Sequence, residues 1–136
     1  MTGRQKELAA DVVRTRRLVM EDEHGNETAF ISLEKRPGGG DDVPYFRIGC
    51  APEEASFEIS MQRDGAPALR FNDRHGRTRI LIEVNEDDVA GLTVMDADGT
   101  PRARVVVTAD GQPSLVIDQG ARIIRQRFGK PPAPSA

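Results

Sequence analysis

Apolar and polar residues alternate along this chain in short runs, and the runs come in matched pairs. In residues 69–84, LRFNDRHGRTRILIEV, Leu69 and Phe71 are followed across a polar gap by Ile80, Ile82 and Val84. In residues 92–107, LTVMDADGTPRARVVV, the same places hold Leu92, Val94, Ala103, Val105 and Val107. The offset is 23 residues, and it also aligns Asp73 with Asp96, Gly76 with Gly99 and Arg79 with Arg102. A fixed period of this length is the mark of a repeated supersecondary unit.

The period extends both ways. One step back from Leu69 is Phe46, and one step on from Leu92 is Leu115; Pro44, Pro67 and Pro113 keep the register, with Ala90 at the fourth place. A first copy, residues 18–33, begins 28 residues before Phe46, so five residues are inserted, most simply within KRPGGGDD at 35–42. A Gly run with two Asp residues reads as an exposed loop. In the last copy, LVIDQGARIIRQRF, the turn is about two residues shorter, as terminal copies of repeat arrays commonly are atypical.

Counting the leading residue of a copy as place 0, the apolar residues occupy places 0 and 2, then 11, 13 and 15. Both groups have period two, with Glu58, Ser60, Glu83 and Arg104 among the intervening residues, so each copy predicts two strands sharing one apolar face. His24-Gly25, His75-Gly76 and Asp98-Gly99 lie between the two groups. A two-residue type I′ turn centred there sets place 2 opposite place 11 and place 0 opposite place 13, which puts all four side chains on one side. The connection between copies, RDGAP at 63–67 and ADGQP at 109–113, cannot be the same turn, because a two-residue loop would invert every following side chain. Two routes remain: a three-residue loop with Gly65 or Gly111 left-handed, or departure to another sheet.

The fold class is therefore all-β, about five tandem hairpin copies with one apolar face. That face needs a cover, and there are three: a barrel, a solenoid, or identical chains meeting face to face. Residues 1–16 form an N-terminal arm or short helix, since Thr2 and Gln5 make a capping pattern and Leu8 and Val12 stand four apart. Residues 17–129 form the repeat domain, and 130–136 a disordered Pro-rich tail.

The segment LTVMDADGTPRARVVVTADGQPSLVI resembles the tandem Leu-x-apolar-x-Asp-x-x-Gly-x-x-Arg repeats of uncharacterised bacterial proteins. The likeness covers roughly residues 16–127 and is closest in the third and fourth copies. In the second, Cys50, Pro52 and Glu53 replace the Asp and Gly of the turn. The resemblance implies no activity; it implies an oligomer in which N-terminal helices associate and the repeats continue as shared β-structure.

Composition narrows the functions. The net charge of −3, with both signs spread along the chain, argues against a nucleic-acid partner. No apolar run approaches the roughly 20 residues of a membrane helix, and the N-terminus lacks the apolar stretch of a secretory signal, so the expectation is a cytoplasmic protein with no membrane partner. Cys50 has no Cys or His cluster near it in sequence and reads as a small apolar residue. DADG at 96–99 and NEDD at 85–88 carry spaced oxygens, but neither completes a calcium loop. His24 and His75 share a place in two copies, which a turn explains more simply than a metal, and Arg79, Arg102 and Arg125 read as cross-strand ion-pair partners before an anion stripe. No catalytic, cofactor-binding or metal-ligating residue is assigned, and no cofactor is expected. A repeat spreads its features evenly, whereas an active site needs unlike groups converging in one pocket. The expected function is a non-enzymatic structural or assembly module, a homo-oligomer with three copies favoured. A protein partner would meet it through the insertion at 35–43 or the N-terminal arm. A ligand- or metal-binding β-module is the alternative.

Overall fold

The computed structural model describes residues 12–35, 39–62 and 65–129. The N-terminal helix or arm up to residue 11 and the Pro-rich tail lie outside the described residues. Ten strands follow one another: β1 (Arg17–Glu21), β2 (Glu27–Lys35), β3 (Asp42–Ile48), β4 (Ser56–Met61), β5 (Pro67–Asn72), β6 (Thr78–Val84), β7 (Ala90–Met95), β8 (Pro101–Val107), β9 (Pro113–Asp118) and β10 (Ile123–Arg127). They form a single antiparallel sheet in sequence order, open at β1 and β10. Within one chain the apolar face is thus closed neither by a barrel nor by a solenoid.

The facing pairs follow the repeat. Met20 faces Ala29, Phe71 faces Ile80 and Val94 faces Ala103, while Leu18 faces Ile31, Leu69 faces Ile82 and Leu92 faces Val105. The turn that produces this register is not the two-residue type I′ turn. His24, His75 and Asp98 do not adopt positive φ; only the glycines after them do, at 83°, 75° and 81°. The loop has three residues, closed by Gly25 N–H to Asp22 C=O, Gly76 N–H to Asp73 C=O and Gly99 N–H to Asp96 C=O. This is a type I turn followed by a left-handed glycine, which spares His and Asp the cost of the left-handed region. The parity this loop would alter is restored by a bulge in the next strand, where Thr28, Arg79 and Arg102 stand as the extra residue.

Between copies the chain stays in the same sheet. Gln62 to Ala66, Asn85 to Val89 and Thr108 to Gln112 close three-residue loops with no bulge after them, and Gly65, Asp88 and Gly111 take the left-handed position. Of the two routes open from sequence, the three-residue loop is the one taken. β10 turns back on β9 through Gly120-Ala121, a two-residue loop with φ of 82° at the glycine and the Ala121 N–H donating to the Gln119 carbonyl, which accounts for the shorter last copy. In the second copy Gly49 is obligatory: a Cβ there would meet the Ala55 carbonyl oxygen at 2.3 Å. Glu53, at the place of the missing turn glycine, keeps that glycine's left-handed backbone, with φ of 62°.

From β3 on, one three-residue loop followed by a bulge and one without a bulge shift the pairing by 23 residues every two strands, with no sideways creep. Residues 23 apart therefore sit in line across the sheet. The middle row runs Leu18, Ile31, Phe46, Ile59, Leu69, Ile82, Leu92, Val105, Leu115. Barrel closure requires a cumulative stagger between strands, which this register lacks. A single layer also has no interior: among the described residues, no large side chain is fully buried, and the buried apolar ones are Ala29, Val43, Ala66 and Ala68.

Candidate functional site

The two faces of the sheet differ in chemistry. On the outer face Arg47 pairs with Glu58 at 3.5 Å, the Gln62 side chain donates to Glu83, and Arg70 donates to Ser60. Phe30 stacks against Tyr45 at 5.6 Å between ring centres, and Arg17 lies over Phe30 at 4.6 Å. Partial burial first, then the hydrogen bond to Glu58 and its charge, push the Tyr45 phenol up to about 12.

The inner face is apolar in three rows. The middle row is flanked on one side by Met20, Ile48, Phe57, Phe71, Ile80, Val94, Ile117 and Ile124, and on the other by Leu33, Pro44, Met61, Pro67, Val84, Ala90, Val107 and Pro113. Phe46, Phe57 and Phe71 meet at 6.1 and 5.2 Å between ring centres. Among the described residues nothing covers this face. Of the seventeen large hydrophobic side chains left exposed among the described residues, thirteen lie on it within the strands, from Leu18 at 53% to Val94 at 37%. At roughly 80 Å² each they expose about 1,000 Å², well beyond the roughly 300–600 Å² of the largest apolar patch on an ordinary monomer. A shallow apolar hollow of about 480 Å³ sits at its centre, bounded by Ile59, Leu69, Ile82, Leu92 and Val105, where Pro67, Ala90 and Gly91 leave room.

The turn carboxylates are already occupied. Asp96 Oδ1 accepts the backbone N–H of Asp98 and of Thr100, and its Oδ2 accepts Arg102 at 2.6 Å. Asp22 and Asp73 cap their turns the same way, and Asn85 Oδ1 accepts from Asp87 and Val89. The Asn26 side chain leads in holding the Asp22 carboxyl below the usual range, and the Thr100 N–H, then Arg102, do so for Asp96. For Asp73, desolvation pulls upward but is outweighed by the N–H groups of Arg77 and His75 and by the Arg77 guanidinium. DADG and NEDD are thus turn caps, and among the described residues no group of three His, Cys, Asp or Glu is placed to hold a metal ion.

The other singled-out residues are not brought together. His24 and His75 stand on tips four strands apart, about 19 Å at the usual strand spacing. Arg79 donates to the Met95 carbonyl and pairs with Asp73, Arg102 pairs with Asp96 and Asp118, and Arg125 is exposed with no ion pair among the described residues. Cys50 is half-buried in the loop after β3. At the insertion, Lys35 pairs with Asp42 at 2.6 Å, and Gly39 and Gly40 both have positive φ. Sequence reasoning missed the capping role of the Asp at place 4 and the bulge at place 10; the signal was their recurrence, three Asp and two Arg at fixed distance from one Gly. Among the described residues no helix is long and apolar enough to cross a membrane. Comparison with protein-family models gives no match, and comparison with curated proteins gives none either.

Proposed function

We propose that this chain is a non-enzymatic structural module that assembles with copies of itself, three apolar faces meeting about a common axis. The carrying observation is the uncovered inner face: a domain needs two layers to bury an apolar surface, and the described residues supply one. About 1,000 Å² of exposed apolar side chain exceeds the roughly 800 Å² that each partner gives to a standard interface.

Width favours three copies. The inward residues of a long strand, such as Ile80, Ile82 and Val84, span five residues, about 17 Å. A three-sided arrangement of that width puts each sheet about 5 Å from the axis, half the ~10 Å between packed sheets, so the middle row fills the centre. Four sides would stand about 8 Å away and leave a hollow; two would leave both long flanks open to water over roughly ten strands at ~4.8 Å each. Straight rows suit such an axis, and the resemblance to the bacterial repeats points the same way. Light scattering at several concentrations tests the proposal: the expected mass is three times the 14.9 kDa chain. A constant mass of one chain overturns the assembly, and a stable mass of two chains overturns the threefold arrangement.

A further inference from the structure

At the last strand of the sheet, none of the arginines meets a carboxylate among the described residues. Arg47, Arg77, Arg79 and Arg102 each pair with a carboxylate of the chain, whereas none of Arg122, Arg125 and Arg127 lies within ion-pair distance of one among the described residues. Arg125 faces Val116 and Arg127 faces Ser114. From residue 119 to 136 the sequence holds three Arg and one Lys and no Asp or Glu. Every residue of β10 is exposed, and β10 ends the sheet.

The backbone of the same residues is open. Arg122 accepts from Gln119 N–H, and Phe128 donates to the Pro113 carbonyl, so the even-numbered residues turn their polar groups to β9. Antiparallel alternation then aims the N–H and C=O of Ile123, Arg125 and Arg127 away from the sheet. The free edge thus presents a row of donors and acceptors beside two unmatched guanidinium groups on one face.

We propose that the β10 edge docks an extended acidic segment of a protein partner, added as an eleventh strand with its carboxylates beside Arg125 and Arg127. Opposite charges on neighbouring strands stabilise such a pair and like charges oppose it. The single sign makes the edge selective. A second copy's β10 brings its own arginines, so the edge opposes pairing with its own kind while attracting an acidic strand. The docking does not depend on association of the apolar faces, and the mass measurement tests that separately.

The test is fluorescence anisotropy on the full chain with a labelled seven-residue peptide alternating Glu and Thr. Two comparison peptides carry Lys for Glu, or N-methyl groups on alternate backbone nitrogens. The acidic peptide is expected to bind saturably, and the Lys and N-methyl peptides at least tenfold more weakly. Arg125→Glu with Arg127→Glu should weaken the acidic peptide at least tenfold, with mass and circular dichroism unchanged; Arg125→Gln with Arg127→Gln replaces that pair if it fails to fold. Arg74→Glu, at an exposed tip far from β10, should leave binding unchanged. No binding, equal binding of the Lys peptide, retained binding of the N-methyl peptide, or an equal loss with Arg74→Glu overturns the proposal.

Discussion

Replacing Ile82 with Asp puts a carboxylate in the middle row, between Leu69 and Leu92. Ile82 is 39% exposed in the single chain, and that fraction is what self-association would cover. It amounts to about 70 Å², or about 1.8 kcal/mol per chain at roughly 25 cal/mol per Å² of apolar surface. Three chains lose about 5 kcal/mol together, close to four orders of magnitude in the assembly constant, before the cost of gathering three charges out of water. The shielded part of Ile82 is lost too, so the separated chain melts earlier. Sedimentation velocity and light scattering on Ile82→Asp should find single chains under conditions where the parent protein gives the proposed three-chain mass. Glu83→Gln is the control for the other face, since it keeps an acceptor for the Gln62 side chain, and it should leave the mass unchanged. An Ile82→Asp protein with the parent mass, beside a dissociated Glu83→Gln, would show the faces to be reversed.

The remaining expectations concern the turns and one phenol. Glu53→Gly should raise stability by about 1 kcal/mol, a few degrees in Tm, because a side chain at φ of 62° is strained where a glycine is not; an unchanged or lower melting temperature refutes this. Gly49→Ala should destabilise by at least about 2 kcal/mol in chemical denaturation, since its Cβ would meet the Ala55 carbonyl, and a neutral result means that the loop is held otherwise. Asp22, Asp73 and Asp96 have carboxyl groups held below their ordinary value, so their stabilisation is complete above about pH 4, the unfolded range, and is lost as pH falls through the folded values. Changing all three to Asn, which Asn85 demonstrates as a cap, should flatten the acid limb of a pH–stability curve; an unaltered limb refutes the capping account. The single tyrosine gives a clean optical titration near 295 nm, expected at about 12; a midpoint at the ordinary value of 10 would mean that Tyr45 is not packed against Glu58.

Strand number, the apolar face and the facing pairs were legible from the residues because side chains alternate with period two and the 23-residue repeat carries its own register check. Leu69 opposite Ile82 follows from spacing alone. The turn geometry was not legible in the same way. A two-residue loop and a three-residue loop with a bulge give one register beyond the turn, and only φ at His75 and the hydrogen bonds of Asp73 distinguish them. The candidate chemistry at DADG faded for a related reason: the sequence displays the oxygens of Asp96 but not the N–H groups and the guanidinium that already occupy them. Whether the chain stays in one sheet after each copy, and whether that sheet closes on itself, depends on how loops with and without a following bulge add up over ten strands. They add to a register without stagger, so the sheet stays open and the apolar rows run straight across it, uncovered by any of the described residues.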